Sequence, residues 1–172
     1  EGFSLGFAPA RWEELKSHLL RAGFPERQLL AAGVLLKKED SSRTYDRFRN
    51  RLIFPIHGLR DECVGFGGRL LGPGEPKYLN SPETPLFHKG ELLYGLNRTA
   101  EEIRKQDEAI LVEGYVDFLS LYQAGFHNLA ATLGTGFSPF HARLAGRFTR
   151  RVVVNFDPDS AGQAATRRSL DI

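Results

Sequence analysis

Apolar positions in the first forty residues recur at helical spacing. Trp12, Leu15, Leu19 and Leu20 predict one face of a helix that starts near Pro9 and stops at Gly23. Pro25 opens a second, short helix through Leu29 and Leu30 that ends near Gly33. The pattern then shortens into apolar runs. Leu52-Ile53-Phe54 and Val64-Gly65-Phe66 read as strands of a hairpin-like region, separated by the turn-rich HGLRDE. Residues 72–91 carry four prolines and three glycines and fit neither period. Such a stretch predicts a linker or a functional loop, and it sets a boundary between two subdomains near Gly95.

Beyond that boundary, helix and strand patterns alternate. Asn97 or Thr99 is placed to cap a helix through Glu101, Glu102 and Ile103. Ala109–Val112 is a short apolar run of the kind a buried strand uses, and Tyr115–Ala124 keeps helical spacing through Val116, Leu119 and Tyr122. Leu129–Thr132 predicts a second strand. Ser138 caps a helix to Gly146 with Pro139 in its first turn. Val152–Phe156 predicts a third strand and Ala161–Leu170 a last helix. This order implies an α/β fold: a mixed α+β N-terminal subdomain, residues 1–95, then a parallel sheet flanked by helices, residues 96–172. In such sheets ligands gather beyond the carboxyl ends of the strands.

Composition narrows the class. The chain has 172 residues, 41% hydrophobic and 26% charged, which suffices for a core and argues against disorder. No apolar run reaches the roughly 18–20 residues of a membrane helix, and the first residues show no signal-peptide pattern. One cysteine, Cys63, excludes an internal disulfide framework and a cysteine-rich zinc site, so a reducing cytoplasm is the simplest setting. The chain contains no methionine and starts at Glu1, as a piece of a longer polypeptide would.

The net charge of +2 says little about partners, but its distribution says more. Arg43–Arg51 holds four arginines against the single acid Asp46. Arg43, Arg47, Arg49, Arg51, Arg69, Lys77 and Lys89 are candidates for phosphate contact, the last three in or beside glycine- and proline-rich backbone. Tyr45, Phe48 and Tyr78 are placed either to stack on bases or to fill a core. The last third instead holds isolated acids. Glu113 follows the strand Ala109–Val112, and Asp157 and Asp159 follow Val152–Phe156, so all three fall at carboxyl ends of strands. Paired oxygen donors suit a hard divalent cation. Asp159 is equally placed to cap a helix starting near Ser160. Gly134-Thr135-Gly136 before a helix reads as a phosphate-approaching loop or as a tight turn. The histidines lack metal-ligand spacing.

Six blocks carry a resemblance: YDRFRNRLIFP, VGFGGRLLG, PKYLNSPETPLFHKGELLYGLN, VEGYVDFLSLYQAGF, ATLGTG and NFDPDSAG. In order and spacing they resemble the catalytic core of bacterial DNA primase over residues 43–164, and LGFAPARWEELKSHL is similar to the start of that core. The PKYLNSPET–FHKG–LYGL block is the most specific. The EGYxD and DxD pair marks the wider Toprim fold, shared with topoisomerases and some nucleases.

The resemblance implies a DNA-directed RNA polymerase of replication that makes short RNA primers on single-stranded DNA from ribonucleoside triphosphates, acting in the cytoplasm at the replication fork. It assigns a catalytic role to Glu113 with Asp117 as companion, metal binding to Asp157, Asp159 and Glu113, and template or nucleotide contact to Arg47, Arg49, Arg69, Lys77 and Lys89. The implied cofactor is Mg²⁺, with Mn²⁺ as an alternative. Many family members have glycine where this chain has Pro158. The family's zinc-binding domain would lie before Glu1; after Ile172 would come the rest of the Toprim region, with a further acidic metal position, and the helicase-binding domain; a fragment without them would be poorly active. The other readings are a Toprim nuclease or topoisomerase fragment, and a non-catalytic single-strand-binding module.

Overall fold

A long-range carboxylate, rather than a local cap, fixes where the first helix begins. In the structure, a computed structural model that describes residues 2–38, 41–134 and 136–157, helix α1 runs Glu14–Arg21. Its cap residue Glu13 makes no side-chain bond to it. Asp46, from a strand thirty residues on, accepts the Leu15 N–H at 2.8 Å and the Lys16 N–H at 2.9 Å. Those N–H groups have no partner within a helix, and Asp46 is 2% exposed, so the carboxylate does the capping from inside the fold. We expect Asp46→Ala to lower stability by about 2 kcal/mol, seen as a lower denaturation midpoint with an unchanged slope.

Two compact units divide the chain: residues 1–56 with 63–88, and 57–62 with 89–172. The first unit carries a four-stranded sheet in the order β1 (Gly6–Ala8), β4 (Arg51–His57), β5 (Cys63–Leu70), β6 (Tyr78–Asn80). A separate antiparallel ribbon pairs β2 (Leu35–Lys37) with β3 (Thr44–Asp46). α2 (Glu26–Ala31) starts at Pro25, as its sequence predicts. Leu29, Val34 and Leu35 form a small buried cluster, covered by Leu15, Leu19, Leu30 and Phe66.

Three features differ from the sequence reading. Pro9 does not begin a helix; it follows β1, which pairs antiparallel with β4. β2 and β3 are only three residues each, too short to show a period. β6 lies inside the proline- and glycine-rich stretch, paired Arg69↔Tyr78 and Gly67↔Asn80. Tertiary pairing overrides composition at all three.

In the second unit, β7 (Ala109–Val112) sits between β8 (Leu129–Ala131) and β9 (Val152–Val154), and both pairs are parallel. α3 (Leu96–Gln106), α4 (Tyr115–Gln123) and α5 (Pro139–Ala145) join them, so the expected α/β architecture is present. Leu93, Leu96, Ile103, Ala109, Leu111, Ala130 and Ala145 make the core. α3 is not capped by Asn97 or Thr99. Its N-cap is Gly95 in the left-handed region. Thr99 is fully buried and donates to the Leu129 carbonyl at 2.6 Å, pinning the helix to β8, while Asn97 donates to Asp61. The predicted helix Ala161–Leu170 lies outside the described residues. Among the described residues no helix is long and apolar enough to cross a membrane.

Candidate functional site at the strand ends of the parallel sheet

The register of β7 and β9 places two of the predicted acids at one end of the sheet. Leu111 pairs with Val154, and the Asn155 N–H donates to the Leu111 carbonyl at 2.8 Å. Glu113, two residues past Leu111, is therefore level with Phe156; β9 stops at Val154, short of the predicted Phe156, and Asp157 follows three residues past its end. Both backbones leave the sheet at its carboxyl end, where parallel α/β sheets bind ligands. Asp157 is exposed, whereas Glu113 is half-buried with its Oε1 shielded from solvent. Asp159 and Pro158 lie outside the described residues. Among the described residues no three acidic, histidine or cysteine side chains gather as a metal cluster.

The loop after β8 is tied to the same place. The Thr132 N–H donates to the Val112 carbonyl at 3.1 Å and the Gly134 N–H to the Glu113 carbonyl at 3.2 Å. Leu133, buried between them, holds a φ of 61°, a left-handed conformation costly for a branched side chain. The two backbone bonds flank it, and Gly134 is thereby held against the Glu113 backbone.

Asp117 has a structural task. It occupies the first turn of α4, and its Oδ2 accepts the Gly114 N–H at 3.1 Å. That bond closes the peptide that follows Glu113, so the second acid of EGYxD steadies the first. The tyrosine of this motif, Tyr115, is 3% exposed, and burial pushes its phenol well above the usual range. Tyr94, edge-on to it at 4.8 Å, is likewise pushed up by burial, to about 12. Both phenols stay neutral at working pH and act as core residues.

The basic candidates separate by environment. Lys77 is exposed in the loop before β6. Arg49 lies over Trp12, 4.1 Å from its centroid, and over Tyr45 at 5.1 Å, while donating to the Asp46 carbonyl. Arg69 faces Tyr78 across the strand pair at 5.8 Å. Arg47 is half-buried, its Nε and Nη2 both donating to the Asn80 carbonyl at 3.1 and 2.8 Å, and burial lowers its pKa. Lys89 begins a single 3-10 turn, Lys89–Glu91, in the second unit. Arg51 corrects the sequence reading: it is not a surface cation but 5% exposed, bonded to the carbonyls of Gly68, Pro76 and Lys77. Gly68 leaves it room, since a Cβ there would lie 2.9 Å from its Cδ. A buried arginine on a strand looks like a phosphate binder until its carbonyl partners are seen. Phe48, too, is a core residue, 5% exposed.

Sequence reasoning missed Ser138 and His141 as a pair. Ser138 was expected as a cap, and its Oγ does accept the His141 N–H at 3.2 Å. The reciprocal bond was not anticipated: His141 Nδ1 accepts the Ser138 N–H at 3.1 Å. The serine-to-histidine spacing of three is the available signal, but Glu or Gln usually fills that position.

Comparison with known proteins finds relatives along the whole chain. The family model described as the DNA primase catalytic core, N-terminal domain, matches residues 1–100, and a Toprim-like model matches residues 110–172. The chain is 45% identical over 172 residues to a DNA primase of Halalkalibacterium halodurans, covering all of this chain and 29% of that protein. The chain thus spans less than a third of that relative's length. Among solved structures it is similar to a DNA primase domain from Pseudomonas aeruginosa, with a TM-score of 0.91 and 46% identity over 99% of this chain and 53% of the other. A DnaG primase catalytic domain bound to single-stranded DNA matches with a TM-score of 0.87 and 43% identity, over 98% of this chain and 52% of that one.

Proposed function

We propose, because the chain belongs to the DNA primase catalytic-core family, that it forms the polymerising core of a bacterial replicative primase. In this reading it joins ribonucleotides on a single-stranded DNA template. A 3′-hydroxyl attacks the α-phosphorus of the incoming triphosphate, a new O–P bond forms, the bond to the β-phosphate breaks, and pyrophosphate leaves. In this reading residues 1–95 are the basic subdomain and residues 96–172 the Toprim subdomain, with residues 89–95 already belonging to the second compact unit. The replicative helicase is the expected partner of the whole protein, through a part of it beyond this chain, and the setting is the cytoplasm. The observation that carries the reading is the strand-end geometry: Glu113 and Asp157 leave adjacent parallel strands at the same end, with the 132–138 loop bonded to the Glu113 carbonyl.

The donor set fits a divalent metal. Glu113 and Asp157, with Asp159 from the sequence, offer only carboxylate oxygens, the ligands that Mg²⁺ or Mn²⁺ prefers over Zn²⁺. When bound, such an ion neutralises triphosphate charge and makes the 3′-hydroxyl a better nucleophile. The protein's own part is orientation. Asp117 fixes the Glu113–Gly114 peptide, and the Leu133–Gly134 backbone braces it from the other side. Lys77, Arg49 and Arg69 present cationic groups for template or nucleotide phosphates, and Lys89 does so on the second unit.

The test is incorporation of labelled ribonucleotides by the full-length protein on a single-stranded template with magnesium. Short RNAs complementary to the template support the reading. Cleavage of the template points to a Toprim nuclease, and binding with no product points to a binding module. Lys77→Ala should weaken template binding at every sequence tested and flatten the log–log salt dependence by about one unit, with stability unchanged.

A further inference from the structure

His141 has no surface exposed to solvent, although it sits in the short helix α5 beside two loops of the candidate site. Its Nδ1 accepts the Ser138 N–H, so the neutral ring carries its proton on Nε2, a tautomer assigned from that bond. Nε2 is buried and meets no hydrogen-bond geometry among the described residues. Burial holds the imidazole below its usual pKa, opposed by the carbonyls of Gly136, Leu92 and Lys89 that surround it. Ser138 Oγ accepts from the His141 N–H and donates to the Gly90 carbonyl at 3.1 Å. Phe137 stacks on the imidazole at 6.2 Å with planes 26° apart.

These contacts run in two directions. On one side the Ser138–His141 pair holds the Lys89–Glu91 turn through the Gly90 carbonyl, where the turn packs against α5. On the other it fixes Ser138 at the start of α5, and upstream of it the Gly134 N–H holds the Glu113 carbonyl. Among the described residues neither segment has regular secondary structure of its own beyond the single turn, so its position depends on such ties.

We infer that His141 is a positioning residue that, through Ser138, fixes the Lys89 turn and the Glu113-bound loop relative to one another. It touches no reacting atom. Its effect on synthesis, which rests on the polymerase reading above, passes through Lys89 and Glu113. A neutral ring with a bare Nδ1 is required, because a second ring proton would face the Ser138 N–H. Leucine keeps the bulk but loses the acceptor. Glutamine restores an acceptor at the third helical position, where it commonly bonds back to the cap residue.

The test uses the full-length protein with His141→Leu, His141→Gln and Ser138→Ala, each first shown to be folded by thermal denaturation. Hydrogen exchange over residues 89–92 and 132–134 should speed up together in His141→Leu and stay near the wild-type rate in His141→Gln. In primer synthesis His141→Leu should lose about tenfold or more in kcat/KM. His141→Gln should recover most of that, and in a Lys89→Ala background the His141→Leu loss should shrink markedly, since the two act in series. Unchanged exchange in either loop, or a loss equally large without Lys89, overturns the inference. If His141→Leu does not fold, Ser138→Ala carries the same expectations and can fail in the same ways. A wild-type protein that makes no RNA sinks the polymerase reading alone, since the exchange result still decides the coupling.

Discussion

Asp157→Asn and Glu113→Gln in the full-length protein should each cut primer synthesis by roughly a hundredfold or more, while affinity for single-stranded DNA stays within about twofold. Both changes keep shape and remove charge. The fold should hold, because Asp157 is exposed and Glu113 lies just past the last residue of β7 rather than in the core. In the proposed reading synthesis depends on the charge, since the carboxylates would hold the cation that makes attack on a triphosphate feasible. On the same reading DNA binding should not depend on it, since carboxylates repel phosphates and the cations proposed to attract them lie elsewhere in the chain. Incorporation of labelled nucleotide and fluorescence anisotropy on the same preparations separate the two. Near-normal synthesis by either variant at limiting magnesium would remove the metal role, and a parallel loss of DNA binding would mean the acids support the fold.

Much of the site could be read from the sequence because its parts are local. A carboxylate at or just past the end of an apolar strand lies near that strand's end, which places Glu113 directly after β7 and Asp157 three residues past β9. Ser138 with Pro139 announced α5 for the same reason: capping is a matter of three or four consecutive residues. What was illegible depends on partners far along the chain. Asp46 reads as one acid in a basic strip, and only the fold reveals it as the cap of α1. Arg51 reads as one more cation of that strip, and only the pairing of β5 with β6 brings carbonyls to its guanidinium. Short strands such as β1, β2 and β6 carry too few residues to show alternation, so they exist by virtue of their neighbours. Asp117 stands between these cases. The resemblance gives it a companion role in chemistry, and the structure adds a bond from the Gly114 N–H that no local sequence signal shows.

Gly95→Ala should be the most damaging single-atom-scale change to the fold, at about 3 kcal/mol or more, lowering the thermal midpoint with little change in denaturant slope. Two independent costs add. Gly95 holds φ 80°, a conformation that costs an L-residue roughly 1 kcal/mol or more. An added Cβ would also lie 2.2 and 2.4 Å from ring carbons of Phe118. That ring has nowhere to go: it is fully buried, edge-on to Tyr94 at 5.2 Å and stacked on Tyr122 at 5.9 Å. Overpacking of this kind costs about 1–3 kcal/mol, a large fraction of the roughly 5–15 kcal/mol that holds a domain together. Relief should come from the other side of the clash. Phe118→Leu, destabilising alone through the cavity it leaves, should be less so combined with Gly95→Ala than the two single effects add up to. Strict additivity in that cycle would show that backbone conformation, and not the ring, makes glycine necessary at the start of α3.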